Sequence, residues 1–173
     1  MGDRSQLDVS RKSITKAFTN KPMSNNDFFK RITILMADDD SEDCQFAQDS
    51  LKEGRLANDI RFVGNGEELM EYLRHKGQFQ NEEEAPMPGL ILMDLYMPRM
   101  DGLTALKEIR ADSKLCKIPL VVLSTSKSDK DIHESYELGA IGYIQKPVSF
   151  EALFDVLQTS DKSWFRIVES IEP

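Results

Sequence analysis

The stretch Leu90-Ile91-Leu92-Met93-Asp94-Leu95-Tyr96-Met97-Pro98 decides how the rest of this chain is read. It is apolar apart from one carboxylate, too short to cross a bilayer, and of the length of a strand buried on both faces; proline then stops it. In open α/β sheets ligands sit beyond the carboxyl ends of the strands, so Asp94 is the first candidate for chemistry. An isolated Asp at such a place more often caps the following turn, and its company has to decide between the two readings.

Other runs of the same texture lie on either side. Ile32-Thr33-Ile34-Leu35-Met36 leads into Ala37-Asp38-Asp39-Asp40, a first strand with acids at its carboxyl end. Ser41-Glu42-Asp43 reads as a helix opening with Ser as the cap, and Phe46, Ala47, Ser50 and Leu51 then share a face, with Gly54 as the stop. Ile60 to Val63 forms a short second strand, Gly64-Asn65-Gly66 turns the chain, and Leu69, Met70, Tyr72 and Leu73 are the apolar positions of a second helix. The polar, acidic segment from Gln78 to Pro88 is expected as a surface loop.

Beyond Pro98, Asp101-Gly102 begins a third helix with Leu103, Leu106 and Ile109 inward. Pro119 precedes Leu120-Val121-Val122-Leu123, another buried strand, which ends in Ser124-Thr125-Ser126. Asp129 to Leu138 makes a fourth helix closed by Gly139-Ala140, and Gly142-Tyr143-Ile144 a brief fifth strand followed by Lys146-Pro147. The last helix starts near Ser149, with Phe150, Leu153, Phe154 and Leu157 on one side. Strands alternating with helices across short connections imply right-handed crossovers and a parallel sheet, hence one doubly wound α/β domain. No Gly-rich dinucleotide loop and no internal repeat appears.

Composition narrows the class. The 173 residues suit one domain, residues 31–173, with residues 1–30 read as a flexible extension because polar residues and Asn20, Pro22, Ser24, Asn25 and Asn26 interrupt any periodic pattern. A net charge of −8 argues against nucleic acid as a partner, since a phosphate backbone demands a surplus of Lys and Arg. No apolar run reaches membrane-spanning length, and no signal peptide or lipidation motif opens the chain. Cys44 and Cys116 lie far apart without a CxxC pair, which speaks for reduced thiols and a cytoplasmic protein rather than for zinc or a disulfide.

Parallel strands all point one way, so Asp38, Asp39, Asp94, Ser124 and Lys146 converge at one edge of the sheet. Taken singly, each has an ordinary explanation: an acidic turn, a strand terminus, a surface lysine. Together, three carboxylates repel one another and call for a cation. A hard ion such as Mg²⁺ fits, with Asp39 and Asp94 as ligands and Asp38 acting through water. Asp94 can then serve as an oxygen nucleophile toward a phosphoryl group, while Lys146 and Ser124 meet phosphoryl oxygens. His75 and His133 are placed on helices away from the strand ends, which leaves them no general-base role.

In this order the residues resemble the receiver domain of two-component response regulators, over about Arg31 to Val168: Asp38-Asp39, Asp94 with Met97-Pro98 and Asp101-Gly102, Ser124, Tyr143, and Lys146-Pro147. The resemblance implies a CheY-like, flavodoxin-like (βα)5 fold with strand order 2-1-3-4-5. It makes Asp94 the phosphoacceptor, Ser124 and Tyr143 the switch pair and Lys146 the site lysine, with Asp38, Asp39, Asp94 and the Tyr96 backbone carbonyl around Mg²⁺.

A narrower likeness, to the stand-alone regulators of bacterial phytochrome-type histidine kinases, rests on Ile118 to Ser126, Ser135 to Ala140, the long loop before Pro86 and the Trp164 tail. It implies a sensor histidine kinase or phosphotransfer protein as donor. The chain ends after the receiver fold, so the output is expected to be a contact with a downstream protein, and Tyr136, Tyr143, Trp164 and Phe165 leave a homodimer open. Two rivals differ in kind. A phosphatase with a strand-end Asp nucleophile would want a second Asp where Tyr96 stands, and a pseudo-receiver would bind partners without phosphorylation.

Overall fold

The computed structural model describes residues 32–53 and 59–159, apart from the side chains of residues 154 and 157–159. The expectations for residues 1–30, Gly54, Phe154, Leu157, Trp164 and Phe165 lie outside the described residues. Strands β1 (Thr33–Ala37), β2 (Asp59–Val63), β3 (Leu90–Asp94), β4 (Leu120–Ser124) and β5 (Gly142–Gln145) alternate with helices α1 (Ser41–Glu53), α2 (Gly66–Leu73), α3 (Gly102–Ala111), α4 (Asp129–Glu137) and α5 (Phe150–Thr159). All strand pairings are parallel, in the order β2-β1-β3-β4-β5.

The inner strands β1, β3 and β4 are buried at every residue, as their continuous apolar runs require. Successive side chains point to opposite faces and so feed two cores. Leu35, Ala37, Ile91, Met93, Leu120 and Val122 pack with Leu69, Leu73, Leu106 and Ile109 from α2 and α3. Ile34, Met36, Leu90, Leu92, Val121 and Leu123 pack with Ala47, Leu51 and Leu153 from α1 and α5. Each large side chain so buried stabilises the fold by about 1.5–3 kcal/mol before chain entropy is counted.

Local chemistry fixes the helix ends, not always as read. Asp40 rather than Ser41 caps α1: its Oδ1 accepts the amides of Glu42 at 2.8 Å and Asp43 at 3.3 Å. Asn65, Asp101 and Ser149 cap α2, α3 and α5 through the amides of Glu68, Thr104 and Ala152. Phe46 was expected on the inner face of α1 and is instead 49% exposed; only Ala47 and Leu51, four residues apart, point fully into the core. His75 lies past the end of α2, in the left-handed region with φ 51°, and not on a helix.

The segment from Gln78 to Pro88 is more than a surface loop. Phe79 in a 3₁₀ turn lies 5.1 Å from Tyr72, ring centroid to centroid, Ala85 is buried, and the Tyr72 hydroxyl donates to the Pro86 carbonyl at 2.9 Å. Across the molecule the Arg110 guanidinium donates to the carbonyls of Cys116, Ile118 and Gly139, tying α3 to the loops before β4 and β5.

Candidate functional site

Register builds the site like a staircase. Ala37 pairs with Met93, so Asp38 and Asp94 leave adjacent strands side by side. Asp94 pairs with Leu123 and Ser124 with Gln145, which places Ser124 and Lys146 one step further along. Gly102 closes the underside. A Cβ there would stand 2.4 Å from the Asp94 carbonyl oxygen and 2.8 Å from Leu95 Cα, so only glycine lets α3 start against the end of β3.

Lys146 is the centre of charge. Its side chain is only 8% exposed, and Nζ lies 2.7 Å from Asp38 Oδ2, 2.7 Å from Asp43 Oδ2 and 2.8 Å from Asp94 Oδ2. Burial alone would lower the lysine pKa; the bonds to Asp38, Asp43 and Asp94 outweigh it and hold the ammonium charged well above the ordinary lysine value. Asp38 goes the other way: burial lifts its carboxyl above the usual range, and Lys146 offsets this only in part.

The buried Asp38 Oδ2 has the Lys146 ammonium at 2.7 Å as its partner. Carboxylate oxygens of Asp38, Asp39 and Asp94 lie within 4.8 Å of one another, with Asp39 exposed. An all-oxygen, acidic donor set of this kind fits a hard divalent cation. A cleft of about 350 Å³, lined by Asp38, Asp39, Ser41, Cys44 and Phe62 among others, opens on the β2 side of these acids.

The other expected residues are also brought to this edge. Ser124 is fully buried, and its Oγ accepts the Ser126 amide at 3.1 Å. Half-buried Tyr143 donates its hydroxyl to the Ser126 carbonyl at 3.0 Å. Tyr96 donates its amide to Asp94 Oδ1 at 3.3 Å, and its ring runs outward to place the hydroxyl 2.5 Å from Asp131 Oδ2. That bond raises the Tyr96 pKa and, with a second bond from Ser126, lowers that of Asp131.

Three participants were missed by sequence reasoning: Asp43, Ser126 and Asp131. Asp43 was read as an ordinary first-turn acid of α1; its position five residues beyond Asp38 was the available signal. Ser126 and Asp131 carried none, because their roles depend on where α4 begins relative to β3.

Known proteins share this fold. Residues 34–158 match the response regulator receiver domain family. The response regulator Rcp1 of Synechocystis sp. is 33% identical over 135 residues, spanning 78% of this chain and 90% of Rcp1. The structure of the Mn²⁺-bound form of Rcp1 covers 82% of this chain and 97% of its own, with a TM-score of 0.62 and 32% identity. The bacteriophytochrome response regulator AtBRR (TM-score 0.68, 31% identity) covers 75% of this chain and 91% of its own. The phosphorylated cyanobacterial phytochrome response regulator RcpA (TM-score 0.63, 37% identity) covers 74% and 89%. Among the described residues no helix is long and apolar enough to cross a membrane.

Proposed function

The chain belongs to the response regulator receiver domain family, and on that premise we propose that it is a switch set by phosphorylation of Asp94. One Asp94 carboxylate oxygen attacks phosphorus in the phosphohistidine of a sensor kinase or phosphotransfer protein. A P–O bond forms as the P–N bond breaks, and the imidazole leaves with the electron pair. The observation that carries this reading is the buried ammonium of Lys146 held at once by Asp94, by Asp38 just beyond β1 and by Asp43 of α1.

Lys146 holds the carboxylates together in the resting state and then turns to an oxygen of the incoming phosphoryl group. Asp38, Asp39, Asp94 and the Tyr96 carbonyl would hold Mg²⁺, which neutralises charge on phosphoryl oxygens when bound. The new charge on Asp94 draws in the Ser124 hydroxyl. Tyr143, already joined to Ser126 on the intervening loop, follows and changes the face made by α4, β5 and α5. Exposed Tyr136 on α4 gives that face an aromatic contact for a downstream protein. The phytochrome response regulators among the similar structures support a phytochrome-type histidine kinase as donor.

Incubation with acetyl phosphate and Mg²⁺ is expected to label the wild-type chain and leave Asp94→Asn unlabelled by intact-mass measurement. Equal labelling of the two would sink the reading. Phosphotransfer profiling against purified histidine kinases then identifies the donor.

A further inference from the structure

Helix α4 buries little of itself and reaches the site edge through polar bonds. Of its residues only Ser135 is buried, and Leu138 just beyond it packs partly on the core. At its first turn one oxygen, Asp131 Oδ2, accepts two hydroxyls: Tyr96 from the loop after β3 at 2.5 Å, and Ser126 from the loop after β4 at 2.7 Å. Tyr96 is 60% exposed, so its ring is fixed by that phenol–carboxylate bond more than by burial. Its other end carries the amide that donates to Asp94 Oδ1.

We propose that Asp131 is a positioning residue for the Asp94 site, acting through Tyr96, and that the Tyr96 side chain links that site to α4 by a path that does not pass through Ser124. The proposal rests on the reading of Asp38, Asp39, Asp94 and the Tyr96 carbonyl as a Mg²⁺ site. The physical case is one of leverage. The strap holds the ring of the residue whose amide donates to Asp94 and whose carbonyl is read as one of the ligands that would hold the cation. Mg²⁺ demands near-ideal geometry, so small rotations of one peptide are felt in affinity. A hydroxyl bonded to a carboxylate is about twice as strong as a bond between neutral groups, and here one carboxylate oxygen holds two hydroxyls. Coupling between sites is reciprocal in binding free energy: whatever displaces α4 changes Mg²⁺ affinity by the factor with which Mg²⁺ changes the displacement.

The test uses the full chain with Mg²⁺ alone, titrated by calorimetry and followed by backbone amide NMR. Tyr96→Phe removes only the donating hydroxyl, and Asp131→Ala removes the acceptor. Each is expected to weaken Mg²⁺ binding by about 10-fold, as loss of a ligand-orienting partner does. The double variant should be no weaker than either single one, because both break the same bond. In Tyr96→Phe the Mg²⁺-induced shifts at the amides of Asp131 and Ile132 should shrink although Ser124 is intact. Single variants within about twofold of wild type, or effects that multiply in the double variant, would overturn the strap. Asp39→Asn separates the two readings. Weakened binding in Asp39→Asn with none in the strap variants leaves the site standing and removes the strap, whereas a wild-type chain that takes up no Mg²⁺ removes both.

Discussion

Lys146 Nζ lies 2.8 Å from Asp94 Oδ2, while the backbone amide of the same lysine donates to the Ser124 carbonyl at 2.9 Å. One residue thus ties Asp94 to the strand that ends in Ser124. The lysine is nearly buried and is shared with Asp38 and Asp43.

Replacing it leaves buried carboxylates facing each other without a cation. Lys146→Met should cost about 3–5 kcal/mol in urea unfolding without metal, the range for breaking a buried pair from one side. Saturating Mg²⁺ should return part of this, because an ion held by the folded chain alone stabilises it. The sign with pH follows from the raised lysine pKa. The lysine's stabilisation is complete below the unfolded value of about 10.4 and is lost as pH rises from there toward the folded value. The gap between wild type and variant should therefore be flat from about pH 7 to 9 and close above about pH 10.4. A gap that widens at alkaline pH would contradict the assignment.

Gly102 supplies a second prediction, because a methyl group there meets main-chain atoms and not a flexible side chain. Gly102→Ala should destabilise the fold by about 1–3 kcal/mol, the usual cost of overpacking, despite the higher helix propensity of alanine. The displaced end of β3 should also slow labelling of Asp94 by acetyl phosphate. A thermal melt and a labelling time course check both parts, and a stabilised, fully active variant would show that the junction yields without cost.

The sheet and the residues gathered at its edge were legible because the inner strands are continuous apolar runs, each ending abruptly in a polar residue: Ala37 before Asp38, Met93 before Asp94, Leu123 before Ser124. Parallel crossovers do the rest. Phe46 misled because four apolar or small positions on α1 span a wide arc, and only the pair Ala47 and Leu51 faces the sheet. The cap of α1 was misplaced by one residue since Asp40 and Ser41 are both good caps, and the choice lies in backbone geometry. The depth of Lys146 could not be read between Gln145 and Pro147, because burial there comes from α1 and β1 closing over it. Asp131 was hidden for the same reason: its partner Tyr96 is 35 residues away along the chain.

Cys44 gives the last prediction, which uses pH to read the charge of the site. Burial first, and then the Asp38 carboxylate, push its thiol up to about 11, and Sγ also lies 3.8 Å from the Asp38 carbonyl oxygen. The thiolate is the species that alkylates, so at about pH 8 Cys44 should react with iodoacetamide roughly 100-fold more slowly than an unperturbed thiol. The rate should keep climbing with pH beyond about 9, where a free thiol has already levelled off. Asp38→Asn removes one charge that opposes the thiolate, so it should speed the reaction at fixed pH and bring the levelling-off to lower pH. Site-resolved mass spectrometry of Cys44 across a pH series measures this directly. A profile that levels off at about pH 8.5 in the wild type would mean that Cys44 does not feel the acidic site. A profile unchanged by Asp38→Asn would assign the whole shift to burial.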